Sequence, residues 1–212
     1  MSETSVLIPF KAQGPKSRLA SVLDQGKRRR LAELMLLDML AVLRETKSIS
    51  QTFVISSDVR ARELSEESGA RTVHEEKDSG VNAAVMGGLR AIGGTGDALV
   101  LPADLPLISA REIEAALSLK RAVDCVLTPS RSFNGTNLLT FSARSPPKLS
   151  YDSDSFWSHL EGAARTGLRL AVLCSPGLMA DVDVVEDLSA LSQARRRSLS
   201  AEFARQVLRE RR

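Results

Sequence analysis

Lys11, Lys16 and Arg18 fall in one short stretch, Ile8-Pro9-Phe10-Lys11-Ala12-Gln13-Gly14-Pro15-Lys16-Ser17-Arg18-Leu19. The apolar run Val6-Leu7-Ile8 reads as a strand, Pro9 breaks it, and Leu19 and Leu23 begin a helical spacing. A strand feeding a cationic loop that contains a glycine (Gly14) can aim backbone N–H groups and ammonium or guanidinium groups at one polyanion, such as a triphosphate. The loop has no GxxxxGK[ST] pattern, so it is not a Walker A loop. The same residues also suit an ordinary β–α connection with solvated charges.

The carboxylates that could face such a polyanion lie far away in sequence. Asp104 sits in Leu101-Pro102-Ala103-Asp104-Leu105-Pro106-Leu107, just past the apolar run over 98–101. Pro102 lacks an N–H and ends strand pairing, which leaves Asp104 beyond a strand end. A carboxylate there can hold Mg²⁺, a hard cation bound by one or two carboxylates together with substrate phosphates. A turn or helix cap is the plainer alternative. In Asp181-Val182-Asp183, side-chain alternation along an extended segment puts both acids on one face. Like charges so close repel unless a cation or base lies between them. With Asp104 they would complete one metal site. Alone they read equally as an exposed acidic turn, since Glu186 and Asp187 follow.

Three polar positions could read the organic parts of a ligand. Asn82 follows Asp78-Ser79-Gly80-Val81 and opens a helix of small residues, Ala83, Ala84, Gly87 and Gly88. Its carboxamide suits a base edge or a ribose, and it also suits a helix cap. The small residues let another group approach closely. Thr136 lies in the polar turn Asn134-Gly135-Thr136-Asn137, and Ser155 opens a helix in Ser153-Asp154-Ser155-Phe156. Free N–H groups and hydroxyls at such a helix start suit a carboxylate or phosphate. Turn and cap chemistry is the simpler reading of both on their own. His74, on an expected strand, reads as structural; His159, one turn past Ser155, could face the same ligand. No Ser–His–Asp or Cys–His arrangement is persuasive.

These residues need a scaffold, and strand and helix patterns alternate along the chain. Helical spacing covers 27–45 through Leu31, Leu34, Met35, Met39, Val42 and Leu43. Strands are expected over 52–56, 71–74, 98–101, 123–128, 137–141 and 169–174. Helices are expected from Asp58 through Glu66, over 82–91, after Ser109 with its capping-box Glu112, and over 156–166. Residues 188–210 read as one Arg-rich final helix with Leu188, Leu191, Phe203 and Leu208 as its apolar positions. Such alternation predicts an α/β fold, a doubly wound, mostly parallel sheet with helices on both faces. Ligands in such sheets lie beyond the carboxyl ends of the strands. The only linker-like segment, Ser145-Pro146-Pro147-Lys148, is too short to separate domains. A single domain over 1–212 is therefore expected, with a basic C-terminal helix at about 188–210.

Composition narrows the partners. The net charge is +3, and the basic residues cluster at Arg28–Arg30, Arg195–Arg197 and Arg209, Arg211 and Arg212. With aromatics at 4% and no nucleic-acid module signature, these clusters read as solvated helix faces, and no nucleic-acid partner is expected. The two cysteines, Cys125 and Cys174, lie far apart in apolar runs. That argues against a disulfide framework and suits a reducing compartment. There is no signal-peptide pattern and no apolar run near the roughly 20 residues that span a bilayer, so no membrane partner and a cytoplasmic location are expected. A terminal helix this charged gains little by packing on its own domain, so a C2 homodimer is expected, with a solvated, fraying end as the alternative.

In one order the chain carries Pro-x-Lys…Lys-Ser-Arg-Leu, Gly-x-Asn-Ala-Ala, Pro-Ala-Asp-Leu-Pro, Gly-Thr-Asn, Ser-Phe-x-x-His and a late Asp-Val-Asp. Together, over roughly residues 6–188, these resemble the 2-phospho-L-lactate guanylyltransferase family of deazaflavin-coenzyme biosynthesis. Pro-Ala-Asp-Leu-Pro is shared with many nucleotidyltransferases, and the other motifs narrow the choice. The resemblance implies a nucleotide-diphospho-sugar transferase fold and a Mg²⁺-dependent reaction that joins GTP to 2-phospho-L-lactate, or a close three-carbon phospho-acid such as phosphoenolpyruvate, with release of pyrophosphate. It implies phosphate contacts, and so catalytic roles, for Lys16 and Arg18, with Lys11 beside them. It further implies nucleoside contact by Asn82, Mg²⁺ ligation by Asp104, Asp181 and Asp183, and acceptor binding by Thr136 and Ser155. The opening loop lacks the Gly-x-Gly of larger sugar nucleotidyltransferases. A molybdopterin guanylyl- or cytidylyltransferase would share Asp104, but nothing in residues 133–160 advertises a pterin site. A non-catalytic nucleotide-binding regulator would have no need of three converging carboxylates.

Overall fold

Strict alternation of apolar side chains builds a sheet buried on both faces. The computed structural model describes residues 3–11 and 16–210. Seven strands line up in the order β3-β2-β1-β4-β6-β5-β7. They are β1 (Thr4–Pro9), β2 (Ile49–Ser56), β3 (Arg71–His74), β4 (Asp97–Val100), β5 (Cys125–Pro129), β6 (Thr136–Ser142) and β7 (Leu170–Val172). Val6, Ile8, Val54, Leu99, Val126 and Leu138 point to one face. Leu7, Phe53, Ile55, Val100, Leu127 and Leu139 point to the other. That is the period of two that a pleated strand imposes.

Helices cover both faces. α1 (Gln25–Glu45) and α4 (Ala110–Lys120) pack on the first face, through Leu36, Met39, Leu43, Ile113 and Ala116. α2 (Val59–Glu67) adds Ala61 to the same layer. α3 (Val81–Ala91) and α5 (Ser155–Arg165) cover the second face through Ala84, Val85, Leu89 and Phe156. The expected caps form: Asp58 accepts from the Ala61 N–H, and Ser109 and Glu112 close a capping box. Of the small residues of α3, Ala84 and Gly88 are buried against the sheet. A Cβ on Gly88 would lie 2.8 Å from Leu7 Cδ2.

The sheet is mostly parallel, as expected: it is parallel at β3-β2-β1-β4 and at β5-β7, and β6 runs antiparallel to both β4 and β5. One expectation is corrected. The final helix is two helices, α6 (Val185–Ser192) and α7 (Leu199–Arg209), with Arg195–Arg197 between them. Hydrogen bonds at the break, one set of them from distant Asp38, enforce it. The Asp38 carboxylate accepts from the Leu199 and Ser200 N–H groups, both at 2.9 Å, and Ser198 accepts from the Ala201 N–H. Arg205 donates to Ser192 O and Ala194 O, each at 2.7 Å, and so closes the end of α6. α7 also packs firmly on its own chain. Ala201, Ala204 and Val207 join Leu31 and Met35 of α1 and Leu188 and Leu191 of α6 in a third buried cluster. The poor packing from which a homodimer was expected is therefore not found. Cys125 and Cys174 are both free. No helix among the described residues is long and apolar enough to cross a membrane.

Candidate active site

The polar residues singled out above gather at one end of the sheet, where β1 and β4 finish and β6 begins. Asp104 follows β4 by a short turn: Leu101 still donates to Leu7 O at 3.1 Å, and Pro102 then ends the pairing. The segment 175–183 comes to this end from the far side of the sheet and is pinned at several points. Glu112 accepts from the Gly177 N–H at 2.8 Å and from the Ser175 hydroxyl. Asn137 donates to Leu178 O and to Asp181 Oδ1, both at 3.0 Å. The Val182 N–H donates to Asp104 O at 3.1 Å. Asp187, at the start of α6, accepts from the Asp183 and Val184 N–H groups at 3.0 Å. These bonds hold Asp181 and Asp183 beside Asp104.

Lys16 joins them. Its ammonium donates to Asp104 Oδ2 at 2.5 Å and to Asp183 Oδ1 at 2.7 Å, with the side chain only 9% exposed. Burial works to lower its pKa, but the Asp104 and Asp183 carboxylates outweigh that and hold it above the usual lysine value. The Lys16 backbone lies in the left-handed region, at φ 54°. For a residue with a Cβ this costs about 1–2 kcal/mol, which the paired charges offset. Arg18 Nη1 stands 3.7 Å from Asp183 Oδ2 and is largely exposed. Burial raises the Asp181 pKa; the Asn137 hydrogen bond opposes this, and the Asp104 and Asp183 charges add to it. Asp104 Oδ1 is buried with no hydrogen-bond partner among the described residues. Among those residues no three acidic, His or Cys side chains stand in a metal-holding arrangement, and Lys16 bridges Asp104 and Asp183.

A cavity of about 290 Å³ opens over this cluster. Lys11, Lys16, Asp104 and Asp183 supply its charged part, and Phe10, Met35, Val81 and Ala103 its apolar walls. The expectation placed on Gly14 lies outside the described residues.

Thr136 and Ser155 also come together. Ser155, the first residue of α5, donates through Oγ to Thr136 Oγ1 at 3.1 Å, and both residues are buried. His159 Nδ1 lies 3.0 Å from the same Thr136 oxygen. Asn82 is not the cap of α3; that position is Gly80, at φ 88°. Instead the Asn82 carboxamide accepts from the Tyr151 N–H at 2.9 Å and donates to Asp152 at 3.3 Å.

The family model described as "Guanylyl transferase CofC like" matches residues 4–209. The chain belongs to this CofC-like guanylyltransferase family. A phosphoenolpyruvate guanylyltransferase of Conexibacter woesei is 34% identical over 91% of the chain and 88% of its own length. A 3-phospho-D-glycerate guanylyltransferase of Phenylobacterium zucineum is 35% identical over 82% of each chain. A solved structure assigned as a nucleotide-diphospho-sugar transferase, from Desulfovibrio desulfuricans G20, superposes with a TM-score of 0.79 over 99% of this chain and 98% of its own, at 20% identity. It shares the fold.

Two residues that brace this cluster, Asn137 and Glu112, are not marked as such by residue type. Asn137 orients Asp181 from 44 positions away, and its only sequence signal is its place in the Gly-Thr-Asn turn. Glu112 is visible in sequence as a helix cap, and that cap also anchors Ser175 and Gly177.

Proposed function

We propose that this nucleotidyltransferase transfers GMP from GTP to a small phosphorylated three-carbon acid and releases pyrophosphate. The observation that carries the reading is the Lys16–Asp104–Asp183 cluster with Asp181 beside it, at the strand ends below a cavity with cationic and apolar walls. The cavity's cationic wall suits a triphosphate and its apolar wall a planar base.

The orphaned Asp104 Oδ1 and the crowded Asp181 fit a divalent cation. Asp104, Asp181 and Asp183 would hold Mg²⁺, which when bound supplies neutralisation of triphosphate charge. Lys16, Lys11 and Arg18 would turn to the phosphate oxygens and draw off the charge that builds on the departing pyrophosphate. An oxygen of the acceptor's phosphate attacks the α-phosphorus of GTP in line. The new O–Pα bond forms as the bond from Pα to the bridging oxygen breaks, and pyrophosphate carries away that electron pair. A phosphate dianion is already nucleophilic, so positioning suffices and no general base is required. Asn82 would meet the nucleoside, and Thr136 and Ser155 the acceptor.

Relatives named for phosphoenolpyruvate, 3-phospho-D-glycerate and 2-phospho-L-lactate share one acceptor chemistry, a carboxylate and a phosphate on three carbons. We take 2-phospho-L-lactate or phosphoenolpyruvate as the acceptor, in deazaflavin coenzyme assembly. The test is pyrophosphate release from GTP and Mg²⁺ with each of the three acids, repeated with ATP, CTP and UTP. Release that requires GTP and either 2-phospho-L-lactate or phosphoenolpyruvate is expected. Equal use of ATP, or no release with any acid, would overturn the reading.

A further inference from the structure

His159 is 4% exposed and has no part in the scheme above. Its Nε2 lies 3.0 Å from the backbone nitrogen of Ser150. A backbone N–H only donates, so Nε2 must present its lone pair. The ring proton therefore sits on Nδ1, which donates to Thr136 Oγ1 at 3.0 Å. Ser155 Oγ donates to the same oxygen. Nδ1–H and Ser155 Oγ–H both face that oxygen as donors, the Nδ1 proton being shared with the Ser155 backbone, so neither neighbour offers Thr136 a lone pair. The Thr136 proton cannot return to either neighbour and must point to a third group.

We infer that His159, as its neutral Nδ1–H tautomer, is a positioning residue that makes the Thr136 hydroxyl a dedicated donor and tunes the acceptor subsite to a carboxylate or phosphate oxygen. This rests on the reading of Thr136 and Ser155 as acceptor contacts. The same ring ties that subsite to the segment at Ser150 and Tyr151, which Asn82 holds from α3. Burial pushes the His159 pKa down to about 4, with a backbone hydrogen bond at Ser155 in opposition. Tyr151, whose ring packs edge-on at 4.8 Å, is the titratable group against it, and burial pushes its phenol pKa upward. Neither group gains a charge at neutral pH, so the tautomer is set by hydrogen bonding alone.

The chain has two histidines, His74 and His159, so side-chain ¹⁵N NMR of histidine-labelled protein resolves the question directly. The expected result is a protonated Nδ1 and a bare Nε2 for His159, unchanged between about pH 8 and 5.5. Kinetics supply the second arm. His159→Asn keeps a donor near the Nδ1 position, whereas His159→Gln keeps only a group near Nε2. Acceptor KM should rise about tenfold or more in His159→Gln, by less than about threefold in His159→Asn, with GTP KM unchanged in both. An Nε2–H signal, or equal kinetic effects of the two variants, would overturn the inference. An unchanged acceptor KM in Thr136→Val would instead overturn the acceptor reading beneath it.

Discussion

The two halves of this site handle polarity in opposite ways. Around Lys16 the groups are ionic: one ammonium between two carboxylates, a third carboxylate crowded beside them and one carboxylate oxygen left without a partner. Around Thr136 they are neutral: two hydroxyls and an uncharged imidazole, buried and bonded to one another. The ionic half is held in balance by charges that a bound polyanion and cation can redistribute. The neutral half holds its donors in place before any ligand arrives. A reaction that moves charge onto pyrophosphate gains from the first arrangement, and selection of a small acid gains from the second.

The largest expected effect strikes the ionic half. Asp104→Ala should cut turnover by about 10³-fold, the scale of removing a principal electrostatic group from an active site. Asp183 still neutralises Lys16, so the loss of stability should stay near 1–2 kcal/mol, below the full cost of an unpaired buried charge. Initial rates and thermal melts read the two quantities. Asp104→Asn working at near wild-type rate in saturating Mg²⁺ would break the contrast, because charge would then not matter there.

Next comes the acid sensitivity of the neutral half. The His159 pKa is depressed in the fold to about 4, so the folded state favours the uncharged ring. Its contribution is complete above the ordinary histidine value and is lost as pH falls toward the folded pKa. Between pH 6.5 and 4 this amounts to about 3 kcal/mol. Denaturant titrations across that range should show the loss, and His159→Gln should remove most of this component of the slope. An identical slope in the variant would mean that the ring is not held neutral.

Thr136→Val tests whether the neutral half serves the acceptor alone. A hydrogen bond to a charged group is worth about 1.5–3 kcal/mol, so acceptor KM should rise roughly 10- to 100-fold. Steady-state kinetics should find GTP KM unmoved. A matching rise in GTP KM would merge the two halves into one.

The smallest effect runs against intuition. Burial and neighbouring charge raise the Asp181 pKa, so the fold binds that proton more tightly than the unfolded chain does. Ionised Asp181 therefore costs stability at neutral pH, and the cost fades as pH falls through the carboxylate range. Asp181→Asn should raise the melting temperature at pH 7 by a small amount while lowering activity. A lower melting temperature at pH 7 would show that the acidic cluster is not strained by its own charge.

Much of the scaffold was legible because its signals are local. Short apolar and β-branched runs marked the strands, and Asp58 and the Ser109–Glu112 pair marked helix starts. The reversal of β6 was legible too but escaped the reading. Only residues 130–135 separate β5 from β6, too few for the crossover that a parallel pair needs, and Asn134-Gly135 is a hairpin signal. The break before α7 depends on Asp38, which is 161 positions from Leu199, so no window on the sequence contains its cause.

By itself the sequence determined which residue types were available for chemistry and at which strand or helix ends they lie. Those ends follow from backbone propensities and side-chain periodicity, which act over a few residues. The tertiary structure alone decided the partnerships: Lys16 with Asp104 across 88 positions, Asp181 with Asn137 across 44, and one imidazole between Ser150 and Thr136. Hydrogen bonds and ion pairs act over about 3 Å, and only the packed sheet and its helices bring such distant residues within that range.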